Sequence, residues 1–260
     1  MNEWSQRRKR IILSLIFGFL IFFIGLPVFF FFYRGPTCTD GKQNGDEKGI
    51  DCGGGCKKLC QADNLSIILK GDPQVVQVGS TTYAVVIQAQ NPNLSSDILR
   101  ARYIFRMYES SSTVPVRIID GDVYVPQGQK FAVFEGPFDF SEAKPDRATF
   151  EWKQDSLVWN TNTKPLTALV IEEKYLSGEG EEPRLTAELY NPSLDKVNNV
   201  ELTAIISDEQ GNTIGVSKTF VDSIEKEGRE PIVFTWPQPF VGTPALIDIL
   251  IKELPDKSFL

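Results

Sequence analysis

Four cysteines, Cys38, Cys52, Cys56 and Cys60, fall within 23 residues in the segment CTDGKQNGDEKGIDCGGGCKKLC. Two chemistries compete for them. As thiolates they would hold zinc or an iron–sulfur cluster; oxidised in pairs they would form two disulfides. The spacing C-x13-C-x3-C-x3-C lacks the C-x2-C knuckle common in structural zinc sites. Their even number and clustering favour disulfides. Three pairings remain open. A Cys38–Cys52 bridge would close a 15-residue loop, restricting the unfolded chain by about 3 kcal/mol. That would matter here, because the segment has almost no apolar side chains with which to build a core.

Between Cys38 and Cys52 the oxygen-bearing residues Asp40, Asn44, Asp46, Glu47 and Asp51 alternate with Gly41, Gly45 and Gly49. Calcium takes roughly six to eight oxygen ligands, and glycines let a loop turn tightly enough to supply them. The spacing is not that of an EF-hand loop. Two readings therefore stand side by side: a calcium loop, and an acidic turn pinned by disulfides with no metal. Gly53, Gly54 and Gly55 do not form a phosphate loop, since no strand pattern precedes them and no helix pattern follows.

The composition removes other chemistry. The chain contains no histidine, which rules out Ser-His-Asp and Cys-His catalysis and histidine-ligated metals. Residues 1–34 hold one acid and five bases, so a chain of net charge −7 leaves −11 on residues 35–260. Such a surface repels phosphates and anionic headgroups, and nucleic acid is not an expected partner. No nucleophile–base pair or nucleotide loop stands out, and the chain reads as a non-enzyme without a required cofactor.

What must position the cysteines is the segment before them. Residues 11–33 read IILSLIFGFLIFFIGLPVFFFFY and carry no charge. As a helix the run would be about 34 Å long, enough for a hydrocarbon core. Arg7, Arg8, Lys9 and Arg10 precede it and should stay cytoplasmic, sending the rest of the chain outward. A cleaved signal peptide would have a shorter apolar region ending at small residues. Here the run exits through four phenylalanines, Tyr33 and Arg34. The expectation is an uncleaved single-pass anchor: a cytoplasmic tail at 1–10, a membrane helix at 11–33 kinked at Pro27, and everything beyond it extracytoplasmic.

From about residue 63 the pattern changes to short runs alternating with period two. Tyr83, Val85, Ile87 and Ala89 form one such face; Leu99, Ala101, Tyr103, Phe105 and Met107 form the next. This is the period of half-buried strands. The chain also repeats itself. VVIQAQNPNLSSDILRARYIFRMYESS aligns with LTAELYNPSLDKVNNVELTAIISDEQ, placing Asn91-Pro92 and Asn191-Pro192 one hundred residues apart. That period is the size of one immunoglobulin-like sandwich. The predicted architecture is an all-β ectodomain: a cysteine-rich module at 36–62, then two tandem immunoglobulin-like β-sandwiches at 63–160 and 165–255, with a stiff break at Thr161 to Pro165. Val85, Ile87, Tyr103, Phe105, Leu185, Leu189, Leu202, Ala204 and Phe234 are the expected core.

Two resemblances follow from these motifs. The cysteine segment resembles the C-x-D-G-x-x-N-G-x-E-x-G-x-D-C-G-G-x-C-x-x-C modules of bacterial surface proteins, departing in its last spacing, and more loosely the thrombospondin type-3 calcium repeat. The run LTAELYNPSLDKVNNVELTAIISDEQGNTIG resembles the FxLYD-type Ig-like domains of bacterial and archaeal envelope proteins. The first repeat departs from that pattern where YESSSTVPV replaces the acidic hairpin. The second resemblance implies a small sandwich without catalytic activity.

The remaining features read blandly. Asn91-Pro92 and Asn191-Pro192 would start turns. Trp152, Trp159 and Trp236 would pack inside. Glu179, Glu181 and Glu182 would form a solvated hairpin tip. Arg100, Arg102 and Arg106 form a basic stripe that would be a wet face or would meet acids of the other repeat or of a partner. Asn64-Leu65-Ser66 and Asn93-Leu94-Ser95 are glycosylation sequons. The chain thus reads as a membrane-anchored binding or structural protein of the cell envelope, acting through protein–protein contacts with an envelope partner. A subunit of a secretion or appendage assembly is the alternative, and a carboxylate-dependent hydrolase the remote one.

Overall fold

The computed structural model describes residues 3–26, 28–29, 35–164 and 166–255, and the chain divides into two compact units, Met1–Cys56 and Lys57–Leu260. The N-terminal unit opens with helix α1 (Glu3–Leu20), continued by a π-helical turn over Ile21–Gly25. Among the described residues no helix is long and apolar enough to cross a membrane. Glu3 and the four bases at 7–10 fall within the 18 residues of α1, while the most apolar stretch passes into the π turn. Pro27 and residues 30–33 of the expected membrane segment, and Arg34 after it, lie outside the described residues. So does Pro165 at the expected break.

The second unit is built from strands. The first repeat has β1 (Ile68–Gln77), β2 (Thr82–Gln90), β3 (Ser96–Tyr108), β4 (Arg117–Val125), β5 (Lys130–Asp139) and β6 (Arg147–Trp152), followed by the two-residue β7 (Asn160–Thr161). The second has β8 (Val170–Ser177), β9 (Arg184–Tyr190), β10 (Val197–Ser207), β11 (Thr213–Ile224), β12 (Arg229–Thr235) and β13 (Leu246–Glu253). Sheets β1-β2-β5 and β4-β3-β6 make the first repeat, with β7 pairing the start of β3. Sheets β8-β9-β12 and β11-β10-β13 make the second. Counted from its own first strand, each repeat has the same order, and every pairing is antiparallel.

Each repeat closes over its own core. Val85, Ile87, Tyr103, Phe105, Met107, Phe131 and Trp152 fill the first. Leu185, Leu189, Leu202, Ala204, Phe234 and Trp236 fill the second. All nine expected core residues are buried. Gly121 is fixed by this packing: it pairs with Tyr103, and a Cβ there would stand 2.4 Å from the Tyr103 hydroxyl.

The repeats are not joined by their connection alone. The outer faces of β1-β2-β5 and β11-β10-β13 meet in a third buried cluster. Val76, Ala84, Val86 and Ala132 come from the first repeat, and Ile205, Val216 and Leu250 from the second. Consequently β10 is buried on both faces. Glu201 and Lys252 are paired across β10 and β13, and by strand alternation they share the face of Ile205 and Leu250. Their side chains meet at 2.5 Å, with Lys252 only 7% exposed. Loss of water pushes the Lys252 ammonium down from its ordinary value, and Glu201 opposes that shift. The repeats therefore share a buried apolar face in addition to their short connection. A fragment of residues 164–260 is expected to give an all-β circular dichroism spectrum. It should also self-associate, since its Ile205, Val216 and Leu250 face would be bare. Sedimentation as a strict monomer would contradict the second half of that expectation.

Asn91 and Asn191 do more than start turns. Both are fully buried. Asn91 Nδ2 donates to the carbonyls of Ser96 (2.8 Å) and Pro126 (2.9 Å), and its Oδ1 accepts from the Asn93 amide. Asn191 Nδ2 donates to Asp195 (2.8 Å) and Glu225 (3.0 Å), and its Oδ1 accepts from Ser193. Each carboxamide satisfies loop backbone that cannot reach water.

Candidate functional site

The cysteine module is closed by oxidation. Cys38 pairs with Cys56, Cα to Cα 5.7 Å, and Cys52 and Cys60 are disulfide-bonded as well. The first bridge is therefore to Cys56 and not to Cys52. At a sequence separation of 18 it limits the unfolded chain by about 3 kcal/mol in the entropy picture. Gly54 makes the turn possible: it has φ +61°, and a Cβ would lie 1.7 Å from the Asp46 carbonyl oxygen.

The acidic side chains serve the loop itself. Both Asp51 oxygens accept from Gly41 N at 3.0 Å. Asp40 accepts from Lys42 N (3.0 Å) and Asn44 Nδ2 (2.9 Å), and the Asn44 bond leads the effects holding its carboxyl below the usual range. Glu47 accepts from Asn44 N at 3.2 Å and touches Cys56 Sγ at 3.5 Å, a contact without a proton because the sulfur is in a disulfide. Among the described residues, the group of three potential metal-ligating side chains close together is Cys38, Glu47 and Cys56. Two of these are consumed by the bridge, and Asp40, Asp46 and Asp51 do not join it. Asn44 Oδ1 is the loop oxygen left covered without a partner. Millimolar calcium is expected to leave the melting of this module unchanged, and Asp46→Ala to be silent in the same titration. Ordering by calcium that Asp46→Ala abolishes would establish the cation reading instead.

The other singled-out residues are placed as follows. Arg7, Arg8, Lys9 and Arg10 are exposed on α1, with the Arg8 guanidinium 3.7 Å over the Trp4 ring. The arginine stripe is neutralised inside its own repeat: Arg100 meets Asp122 (2.9 Å), Arg102 meets Asp155 (2.5 Å) and Arg106 meets Glu151 (3.0 Å). Glu179, Glu181 and Glu182 lie exposed in the β8–β9 turn. Both sequon asparagines are engaged through their side-chain nitrogens, Asn64 to the Cys60 carbonyl and Asn93 to the Leu65 carbonyl.

Among the described residues, a cleft with a volume of about 520 Å³ lies at the 160–164 connection. Asp97 lines it, 5% exposed, with Oδ2 accepting from Tyr124 Oη (3.0 Å) and Asn162 Nδ2 (2.8 Å). Burial pushes its carboxyl up, against the pull of those two bonds. The Tyr124 phenol is pushed up as well, by burial first and by Asp97 second. Gln127 is 3% exposed and donates to the Lys164 carbonyl. Lys164 pairs with Glu253, and Lys196 with Glu225 at 2.6 Å.

No protein-family model matches the chain, and no curated protein matches it. Among solved structures, a transglutaminase from red sea bream aligns at 13% identity, over 74% of this chain and 29% of that one, with a TM-score of 0.24. The chain thus spans less than a third of that enzyme's length. A likeness this slight carries no argument about activity.

Sequence reasoning missed the cleft. Its lining joins Pro126 to Gln129, to which no role was given, and the expected break at Asn160 to Lys164 with residues of both repeats such as Asp97 and Asn198. The available signal was the density of carboxamides in NTNTK beside a repeat boundary.

Proposed function

We propose that the chain is a membrane-anchored, non-catalytic binding or structural protein of the cell envelope, its two Ig-like repeats facing outward to meet an envelope partner. The observation that carries this reading is the set of four oxidised cysteines. They lie just beyond an uncharged run that four bases precede. Disulfides persist in oxidising compartments, and bases flanking an apolar run stay on the cytoplasmic side. The shared strand order of the two repeats supports two copies of one sandwich, with residues 11–33 as the anchor. The disulfide-pinned module then acts as a compact spacer next to the membrane.

Protease added to spheroplasts is expected to degrade residues 35–260 and to spare the N-terminal tail. A mature N-terminus at or after Arg34 would overturn the anchor, and four reduced cysteines in the cellular protein would overturn the outward location.

One observation favours the assembly-subunit reading. Strand β4 is at the edge of its sheet, and Val114, Val116 and Ile118, on and just before it, are 70%, 38% and 56% exposed. An open edge with apolar side chains can accept a further strand. Stoichiometric co-purification after mild detergent extraction would select this reading over the lone tether.

A further inference from the structure

The cleft at the 160–164 connection has a lining rich in carboxamides. Five carboxamides border it: Gln127, Gln129, Asn160, Asn162 and Asn198. A carboxamide holds a donor and an acceptor side by side in one plane, the arrangement that matches adjacent hydroxyls on a ring. Two of the five are unsatisfied. Gln127 Oε1 and Gln129 Oε1 are both buried without a hydrogen-bond partner. Leaving a buried acceptor unpaired costs about 1–3 kcal/mol, which a ligand carrying hydroxyl donors would recover after a small side-chain adjustment.

The charges around the cleft do not favour an ionic ligand. Lys164 is paired with Glu253 and Lys196 with Glu225, Asp97 accepts from Tyr124 and Asn162, and Lys57, which also lines the cleft, acts on the Asp97 carboxyl. The apolar members, among them Leu99, Leu166 and Pro126, offer surface for the C–H faces of a ring. A volume of about 520 Å³ falls within the ordinary range for small-molecule pockets.

We propose that this cleft is a binding site for a neutral, polyhydroxylated ligand of one or two sugar units. The site stands independently of whether residues 11–33 cross a membrane, since every residue used lies in the unit from Lys57 onward. It also differs from the protein–protein contacts proposed above, because it recognises hydroxyls in a recess and not a surface.

The test uses the full chain in a detergent without a sugar headgroup, titrated with cellobiose, maltose and N,N′-diacetylchitobiose. Saturation-transfer NMR reads the sugar, and tryptophan emission reads Trp159, next to Asn160 in the chain. Saturable binding of at least one sugar is expected. It should weaken roughly tenfold in Asn198→Ala and in Gln129→Ala, with the thermal transition of Asn198→Ala unchanged. Asn198 is exposed, so its variant keeps the test open if Gln129→Ala unfolds. Failure of all three sugars to bind, binding that survives both substitutions, or tighter binding of free lysine or glutamate would each overturn the proposal.

Discussion

Glu201→Ala is expected to cost about 3 kcal/mol in urea unfolding of the full chain. The substitution removes little volume from an apolar core, so the loss has an electrostatic origin. Lys252 keeps only 7% of its side-chain surface, and its ammonium is held by Glu201 at 2.5 Å. Lys218 also leans on Glu201, at 3.6 Å, and adds positive charge of its own. Without the carboxylate, two ammonium groups face each other and the buried one has no counter-charge. Removing both partners tells a different story. In the double variant Glu201→Ala, Lys252→Met no buried charge remains, and most of the loss should be regained. The single Lys252→Met should be milder than Glu201→Ala, because Glu201 is 18% exposed and retains Lys218. The pH dependence has a definite sign. The Lys252 pKa is lowered in the folded chain, so folding binds its proton less tightly and stability rises with pH below the ordinary lysine value. The deficit of Glu201→Ala should shrink as pH rises toward the lowered Lys252 value, because without Glu201 the folded chain gives up that proton at still lower pH. A deficit independent of pH, or no rescue in the double variant, would show that the pair is not what the interface depends on.

This interface marks the boundary of what could be read from the chain. Period-two alternation located β2, β3, β9 and β10 and most of their inward residues, because one face of each strand meets its own core whatever lies beyond. In β3 the register shifts between Ile98 and Ala101, so Ile98 enters the core and Leu99 lines the cleft instead. The second faces of β2 and β10 carry Ala84 and Val86, and Thr203 and Ile205. In sequence these make YAVVI and LTAII nearly continuous apolar runs, which mark strands covered on both sides. That signal was present but does not say which surface does the covering. The cysteine cluster was legible as a disulfide module, yet spacing could not choose the Cys38–Cys56 pairing, which depends on how the glycine turns bring the two Cα atoms together. Asn91 and Asn191 were legible as turn residues only. Their role requires partners about 35 positions away, Pro126 and Glu225, which no local pattern announces. The arginine stripe was visible, and its acids were not, because Asp122, Glu151 and Asp155 reach it from neighbouring strands and a loop.

Phe105→Ala should be the most damaging single change in the first repeat, at about 3–5 kcal/mol. Phe105 is fully buried and sits in the middle of β3, opposite Ile119 on β4 and Phe150 on β6. Its ring centroid is 4.9 Å from Phe150 and 5.6 Å from Tyr103, and Phe150 in turn meets Trp152 edge-on at 4.7 Å. Truncation leaves a void that these rings cannot fill without giving up their mutual contacts, and the backbone of a central strand cannot collapse inward. Arg102→Ala, three residues earlier on the outer face, is the matched control. Its partner Asp155 lies 2.5 Å away, but the two side chains are 46% and 72% exposed, so the change should stay within about 0.5 kcal/mol. The shared interface gives the experiment a second reading. If the third cluster couples the repeats, a loosened first core strips cover from Ile205, Val216 and Leu250. Proteolysis of Phe105→Ala should then release fragments of both repeats together. Selective loss of the first repeat, with 166–255 left intact and folded, would show that the two cores stand independently despite the face they share.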